Sequence, residues 1–281
     1  MTSKAVLITG CSTGIGRATA LRLASRGWTV YASARKLAAI EDLERMGCKT
    51  LAIDVTDEES IRDAVARVTK DEGAVAVLVN NAGYGAQGPF EEVPMDEVRR
   101  QFETNVFGLT SLTQHVLPGM RAQRWGRVVN ISSMGGRLTF PGGAYYHATK
   151  HAVEALSDAL RFEVRGFGIA VILVEPGLVK TAFGETAVGT MGALHEDGPY
   201  AAFNAALEKQ VSGAYSGPMA KLARSPETIA KVIERAIGSR HPRARYRVTP
   251  TGRAMIALRS VMPDRIFDFF LRSQFPSPGK K

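Results

Sequence analysis

Short, almost continuously apolar runs alternate with longer helical patterns along most of this chain. The runs lie at residues 5–8, 29–32, 51–53, 75–79, 127–131 and 170–174, with a further one at 245–249. Apolar runs of this kind are typical of parallel strands buried on both faces. The helical patterns between them lie at 14–26, 57–70, 95–120, 145–165 and 227–237. The alternation predicts an α/β fold, a Rossmann-type doubly wound parallel sheet of about seven strands with helices on both faces.

Neither a linker nor a repeat divides the chain, so we expect one domain over residues 1–250 and a C-terminal extension over 251–281. Two cysteines far apart, without the spacing of metal ligands, suit a reducing compartment. The first residues do not resemble a signal peptide. No apolar run reaches the roughly 18 residues of a membrane-spanning helix. These features predict a cytoplasmic protein.

The net charge of +9 is concentrated near the C-terminus, since residues 240–281 hold ten Lys or Arg and two acids, Asp264 and Asp268. A nearly neutral body argues against nucleic acid as a partner. The extension interleaves basic and bulky apolar residues, which leaves two interpretations open. It is an amphipathic segment on an anionic membrane, or it packs over the substrate pocket or a neighbouring subunit. We favour the second.

A glycine-rich turn follows the first predicted strand and opens the first helix. Glycines permit sharp backbone turns and close approach of a phosphate to main-chain N–H groups, and a helix N-terminus attracts anions. We therefore expect this turn to bind a phosphate group through Gly10, Ser12, Thr13, Gly14, Ile15 and Gly16. The alternative is a tight turn with no ligand.

The spacing of that turn, Thr-Gly-x-x-x-Gly-x-Gly, resembles the short-chain dehydrogenase/reductase family. Further matches follow in order: Asp54-Val55, Asn80-Asn81-Ala82-Gly83, Asn105, Ser133, Tyr146 with Lys150, and Pro176-Gly177 with Thr181. The resemblance covers residues 4–182 strongly and 225–250 loosely. It implies catalytic roles for Asn105, Ser133, Tyr146 and Lys150. It also implies cofactor contacts from Asp54, Val55, Asn81, Ala82, Gly83, Tyr146, Lys150, Pro176, Gly177, Val179 and Thr181.

The same resemblance implies a substrate lid at about 178–222 and a homodimer or homotetramer paired through the helices at 95–120 and 145–165. The stretches around Ser133 and Thr181 are similar to the steroid- and retinol-dehydrogenase-like branch of the family. That similarity favours an apolar alcohol or ketone, to which Phe90, Met134 and Phe140 would add pocket walls.

The proposed chemistry also follows from the residues themselves. Tyr146 and Lys150 are four apart, so they share one face of a helix. A neighbouring ammonium favours the phenolate and lowers the tyrosine pKa toward the working pH. Ser133 can donate a hydrogen bond to the substrate oxygen. The family resemblance gives Asn105 the role of holding a kinked helix segment and a water that relays protons to Lys150. The histidines lack metal-ligand partners, so we expect no metal.

Charge at the end of the second strand predicts the cofactor. NAD enzymes place an acid there, and an arginine accommodates the 2′-phosphate of NADP. The stretch 31–36 has no acid but holds Arg35 and Lys36, with Ser33 and Arg17 as further candidate contacts. We expect NADP(H) to be preferred and NAD(H) to be accepted. The alternative is that Arg35 is a solvated loop cation.

Together these patterns predict an oxidoreductase that transfers a hydride between NADP(H) and the carbonyl or alcohol of an apolar, steroid-, retinoid- or lipid-like small molecule. Two alternatives stay open at this point. One is a non-catalytic NADP-binding regulatory protein, and the other is a membrane-surface-associated protein.

Overall fold

The computed structural model describes residues 3–181, 183, 198–216 and 222–278. Seven parallel strands form one sheet in the order β3-β2-β1-β4-β5-β6-β7. This order reverses direction between β1 and β4, which confirms the predicted doubly wound fold. The strands are β1 (Ala5–Ile8), β2 (Thr29–Ala34), β3 (Lys49–Ala52), β4 (Val77–Asn80), β5 (Gly126–Ile131), β6 (Ile169–Glu175) and β7 (Arg245–Arg247).

The central strands are buried on both faces, as their unbroken apolar runs predict. In β1, Val6 and Ile8 belong to one hydrophobic cluster, and Ala5 and Leu7 belong to another. Successive side chains of a strand point to opposite faces, so the two clusters are the cores on either side of the sheet.

Helices cover both faces. The described helices are α1 (Gly14–Ala24), α2 (Glu58–Glu72), α3 (Met95–Phe102), α4 (Gly108–Ala122), α5 (Ala144–Glu163), α6 (Ala201–Ser216), α7 (Pro226–Gly238), α8 (Pro250–Val261) and α9 (Asp264–Gln274). Helices α1 and α7 pack on one face, and α2, α4 and α5 pack on the other. None of the described helices is long and apolar enough to cross a membrane.

The helix predicted at 95–120 is interrupted. A π-helical turn at Glu103–Phe107 separates α3 from α4. A close contact fixes the next residue, because a Cβ on Gly108 would lie 2.2 Å from the carbonyl oxygen of Val55. Single π-helical turns within α-helices are frequent at functional sites, and this one holds Asn105.

The C-terminal extension is helical from its first residues. The strand predicted at 245–249 ends at Arg247, because the Thr249 side chain caps α8 by accepting a hydrogen bond of 3.1 Å from the Gly252 N–H. Proline at the first helical position suits this start. The predicted substrate lid lies partly outside the described residues.

Candidate active site

A cleft of about 1360 Å³ opens at the carboxyl ends of the strands. It brings together nearly all of the predicted site residues. Its lining includes Gly10, Ser12, Thr13, Gly14, Ile15, Arg35, Asp54, Val55, Asn81, Ala82, Gly83, Ser133, Tyr146, Lys150, Pro176, Gly177, Val179 and Thr181. Two predicted residues, Gly16 and Asn105, lie behind this lining. These two residues shape the cleft without lining it.

Gly16 provides space in the glycine-rich turn. A Cβ there would lie 2.4 Å from the carbonyl oxygen of Gly10 and 2.5 Å from Nδ2 of Asn81. Asn81 Nδ2 occupies that space because it donates hydrogen bonds to the carbonyls of Thr9 (2.8 Å) and Gly10 (3.0 Å). The turn is thus braced from β4, and Gly10 has a φ of 71°, which favours glycine.

The segment after β6 closes over the same turn. A Cβ on Gly14, whose φ is 59°, would lie 3.1 Å from Cγ2 of Thr181. The predicted Pro-Gly-x-x-x-Thr motif therefore meets the N-terminus of α1, where orphan N–H groups are available to a phosphate.

Asp54 and Val55 line the cleft beyond the end of β3. The Asp54 carboxylate accepts hydrogen bonds through Oδ1 from the N–H (3.0 Å) and hydroxyl (2.8 Å) of Thr56. Its backbone N–H donates to the Ser60 hydroxyl at 3.0 Å. These bonds hold the loop in place and orient the carboxylate at the rim of the cleft.

Of the residues predicted to contact a 2′-phosphate, Arg35 lies at the cleft, with Lys36 next to it in the chain. Arg35 lines the cleft and is exposed. Ser33 is fully buried, and its hydroxyl donates to the carbonyl of Ile8 at 3.0 Å, so its expected contribution is wrong. Arg17 does not line the cleft, and its guanidinium forms a two-bond ion pair with Asp42, so its expected help stays a prediction. That pair joins α1 to the turn after β2.

The predicted catalytic residues approach the cleft from two directions. Tyr146 and Lys150 come from the first turns of α5, and Ser133 follows β5. The Ser133 oxygen accepts a hydrogen bond of 3.1 Å from the Gly135 N–H, which leaves its own hydrogen for another acceptor. The Tyr146 ring packs against Phe183, with ring centroids 5.4 Å apart. A Cβ on Gly85 would lie 3.1 Å from that ring, so Gly85 leaves room for it.

Lys150 is 7% exposed, and its Nζ donates to the carbonyl of Ile131 at 2.8 Å. Nζ lies 5.9 Å from the centroid of the Tyr146 ring. Burial lowers the pKa of Lys150 to about 8, and the Glu154 carboxylate one turn further along α5 opposes that shift. At neutral pH the ammonium is therefore largely charged yet close to its titration range.

Asn105 ties the π-helical turn to both sides of the cleft. Its Nδ2 donates to the carbonyl of Tyr84 at 2.8 Å and to the Thr149 hydroxyl at 3.1 Å, and its Oδ1 accepts from the Tyr84 N–H at 3.1 Å. A Cβ on Gly83 would lie 2.9 Å from Oδ1 and 3.8 Å from Nζ of Lys150. The Asn105 amide and the Lys150 ammonium therefore both lie close to the backbone of Gly83.

The other half of the cleft is mainly apolar. Its walls include Met134, Phe140, Leu207, Met255, Phe270 and Phe275. The inner faces of α8 and α9 therefore cover the pocket. This is one of the two arrangements in the favoured interpretation, in which the extension packs over the substrate pocket or a neighbouring subunit. Phe90 does not take its expected place, because it is 70% exposed and stacks on Tyr145 outside the cleft, with ring centroids 4.8 Å apart.

Part of the positive charge near the C-terminus is neutralised inside the protein. Arg245 pairs with Glu154 (3.0 Å), Asp158 (2.6 Å) and Glu175 (3.2 Å), and Arg247 pairs with Glu175 at 2.9 Å. Glu154 and Glu175 are buried. These pairs connect α5 to β6 and β7 beneath the cleft, so both arginines serve the fold rather than the surface.

Two polar residues that sequence reasoning missed also line the cleft, His147 and Gln87. His147 is buried, and its Nδ1 lies 3.2 Å from the carbonyl oxygen of Gly135. Its position directly after Tyr146 was visible in the sequence, but nothing there indicated which way the ring points.

Comparison with known proteins identifies the family. The family model for short chain dehydrogenases matches residues 4–191. The chain belongs to the short-chain dehydrogenase/reductase family and is an oxidoreductase of the kind that acts on CH–OH and C=O groups.

Several relatives match over nearly their whole length. The chain is 36% identical to an NADPH-dependent 3-dehydrocapnine reductase of Ornithobacterium rhinotracheale, with 93% of this chain and 94% of the relative covered. It is 35% identical to the oxidoreductase YbbO of Escherichia coli, with 96% and 94% covered. It is 34% identical to a 3-ketodihydrosphingosine reductase of Bacteroides thetaiotaomicron, with 97% and 98% covered.

Solved structures show the same fold. A short-chain dehydrogenase from Streptomyces avermitilis superposes with a TM-score of 0.80 at 34% identity, covering 96% of each chain. A serine dehydrogenase complexed with NADP+ superposes with a TM-score of 0.76 at 26% identity, covering 88% of this chain and 95% of the other.

Proposed function

We propose that this protein is an NADP(H)-dependent reductase of an apolar, lipid-like ketone, with Tyr146 as the proton donor. The observation that supports this most directly is that Tyr146, Lys150 and Ser133 line the same cleft as the glycine-rich turn. A substrate in the apolar half would lie between these side chains and a dinucleotide on the turn. When bound, NADP(H) supplies the hydride.

Each residue then has a defined task. Ser133 donates a hydrogen bond to the carbonyl oxygen, where negative charge develops. Tyr146 gives its phenolic proton to that oxygen, and the Lys150 ammonium stabilises the phenolate that remains. Asn105 keeps the backbone beside Lys150 in place through Tyr84 and Thr149, and we keep the expectation that a water there relays the next proton.

The choice of NADP(H) rests on Arg35. It lines the cleft beyond β2, where no carboxylate replaces it in the stretch 31–36. A guanidinium pairs well with a phosphate. The name of the Ornithobacterium relative and the NADP+ complex of the serine dehydrogenase point the same way. We expect NAD(H) to bind more weakly.

The choice of substrate rests on the apolar walls contributed by α6, α8 and α9. The Bacteroides and Ornithobacterium relatives, named as reductases of 3-ketodihydrosphingosine and 3-dehydrocapnine, support a lipid-like ketone. A steroid or retinoid stays a prediction from the resemblance alone. We also keep the expectations of a cytoplasmic location and of a homodimer or homotetramer.

The test is a set of ketones offered to the purified protein with NADPH, followed by absorbance of the reduced cofactor. Long-chain aliphatic, steroid and retinoid carbonyls form the panel, and NADH replaces NADPH in a parallel series. We expect NADPH consumption to be fastest with a long-chain ketone. Tight binding of NADPH without turnover of any carbonyl would instead favour the non-catalytic regulatory protein.

A second candidate function is attachment to an anionic membrane surface. The outer face of the C-terminal helices exposes Leu258 (50%), Val261 (78%), Ile266 (55%) and Phe269 (74%). Arg265 and Arg272 lie four residues before and three residues after Phe269, so they share its face of α9. Apolar residues flanked by arginines suit a bilayer with anionic headgroups, which would deliver a lipid-like substrate next to the cleft.

Vesicle co-sedimentation tests this second function. We expect the protein to sediment with vesicles that contain phosphatidylglycerol and much less with pure phosphatidylcholine. Phe269→Asp should abolish the difference, and Met46→Asp, which changes an exposed apolar residue between β2 and β3, is the control. Equal sedimentation of wild type and Phe269→Asp would rule out this surface.

A further inference from the structure

His147 is a buried imidazole in the wall of the cleft, directly after Tyr146 in α5. It is 8% exposed, and its ring centroid lies 5.6 Å from that of Tyr146 and 6.2 Å from that of Phe140. A buried polar group without a hydrogen-bond partner is costly. We therefore expect each ring nitrogen of a histidine in this apolar wall to have a partner.

The surrounding backbone is shaped for this ring. A Cβ on Gly135 would lie 2.4 Å from Nδ1, and a Cβ on Gly143 would lie 2.7 Å from Nε2. Either contact is too short for any other residue without movement of the ring. The two glycines therefore leave space for an imidazole between them, and the position of each ring nitrogen is defined.

The hydrogen bond at Nδ1 decides the tautomer. Nδ1 lies 3.2 Å from the carbonyl oxygen of Gly135, and a carbonyl only accepts, so Nδ1 carries the hydrogen. Burial lowers the pKa of His147 to about 4, so the ring is neutral at pH 7. In a neutral imidazole the second nitrogen is an acceptor. Nε2 thus presents a lone pair.

That lone pair lies at a polar corner of the cleft. The position of a Cβ on Gly143 is 2.7 Å from Nε2 and 3.3 Å from Oε1 of Gln87, so the two side chains approach the same point. Both line the cleft, whose walls nearby are Met134 and Phe140. Within the described part of the chain, the ring forms the Nδ1 hydrogen bond and packs against Phe140 and Tyr146. None of these contacts uses Nε2.

We propose that His147, together with Gln87, binds a hydrogen-bond donor of the substrate, a hydroxyl or amino group on a carbon close to the carbonyl. This inference rests on the proposed function and narrows it. The substrate is a ketone with an apolar chain and a polar donor beside the carbonyl, rather than a plain ketone. An acceptor in an apolar wall selects for a ligand that satisfies it, because a ligand without a donor leaves the acceptor unpaired.

Four probes of equal chain length test the proposal: a long-chain α-hydroxyketone, its O-methyl ether, the parent ketone and the matching α-aminoketone. The ether keeps the oxygen but removes the donor. We expect kcat/KM of the wild type for the hydroxyketone or the aminoketone to exceed that for the ether and the parent ketone by about tenfold, the upper range for one neutral hydrogen bond. The hydroxyl and amine arms show which donor is preferred.

Substitutions assign the preference to the residue. In His147→Phe the ratio between hydroxyketone and ether should fall toward one, and the ratio is taken within the variant so that a general loss of rate cancels. His147→Gln places an acceptor near the position of Nε2 and should restore part of the preference. His151→Phe, an exposed position one turn along α5, is the matched control and should keep the wild-type ratio.

The outcomes separate the two proposals. Turnover of the parent ketone with no preference for a donor in the wild type overturns the role of His147 and leaves the reductase intact. A preference that survives in folded His147→Phe also overturns it. If His147→Phe does not fold, the preference for a donor is compared between wild type and His147→Gln with the same four probes. Absence of NADPH consumption with every carbonyl overturns the reductase itself.

Discussion

Lys150 Nζ donates a hydrogen bond of 2.8 Å to the carbonyl oxygen of Ile131, the last residue of β5. This bond fixes the ammonium at the end of the central sheet, beneath the Tyr146 ring. The strand that positions Ser133 therefore also positions Lys150, because Ser133 lies two residues after Ile131. One strand end and one helix therefore hold the proposed proton donor Tyr146, the Lys150 ammonium and the Ser133 hydroxyl.

The first prediction concerns Tyr146. Tyr146→Phe keeps the ring packing on Phe183 and removes the phenolic proton, so we expect a loss in kcat of at least ~100-fold. NADPH binding should persist, because the ring and Lys150 remain. Stopped-flow turnover and fluorescence titration of NADPH measure the two effects. A folded variant with turnover close to wild type would contradict the role of Tyr146.

The features that could be predicted from the sequence are those that a local pattern of residues determines. The strands, the glycine-rich turn and the spacing of Tyr146 and Lys150 depend on residues close in the chain. The errors arose from partners distant in sequence. Ser33 was expected to contact the phosphate, but it is fully buried and its hydroxyl donates to the carbonyl of Ile8, which is 25 residues away. The acceptor at His147 depends on Gly135 and Gly143, whose roles emerge only when the loop folds over α5.

The second prediction concerns stability toward acid. His147 has a pKa of about 4 in the folded protein, below its ordinary value near 6.5. Its contribution to stability is complete above the unfolded value and is lost as pH falls through 6.5 toward 4. Between pH 7.5 and pH 5 we expect the wild type to lose about 2 kcal/mol more than His147→Gln.

Urea unfolding at the two pH values measures this difference, and carboxylates that titrate in both proteins cancel. Parallel loss in wild type and His147→Gln would mean that the His147 pKa is not lowered in the folded state.

The third prediction concerns assembly. Phe162 on α5 is 78% exposed, and it lies on the face of the helix opposite the sheet. If α5 pairs with its counterpart in a second copy, Phe162→Asp places a charge in an apolar interface. We expect wild type to elute as a dimer or tetramer and Phe162→Asp to elute with a lower mass by light scattering. Phe269→Asp, on the outer face of α9, should keep the wild-type mass.

The last prediction concerns cofactor choice at Arg35. In the proposed complex its guanidinium contacts the 2′-phosphate of NADPH, whereas NADH has a ribose hydroxyl at the same position. A charge-assisted hydrogen bond contributes about 1.5–3 kcal/mol, so NADPH should bind roughly tenfold to 150-fold more tightly than NADH. Arg35→Asp should reverse the order, because a carboxylate repels the phosphate and accepts a hydrogen bond from the ribose hydroxyl.

Titration of both cofactors at fixed ionic strength measures the change, since salt screens an exposed contact. Arg17→Ala is the informative control. Its guanidinium already pairs with Asp42 and does not line the cleft, so the ratio of the two affinities should stay at the wild-type value. Lys36 remains beside Arg35 and would leave Arg35→Ala with part of the preference. Equal affinity of the wild type for both cofactors, or an unchanged ratio in Arg35→Asp, would identify Arg35 as a solvated loop cation.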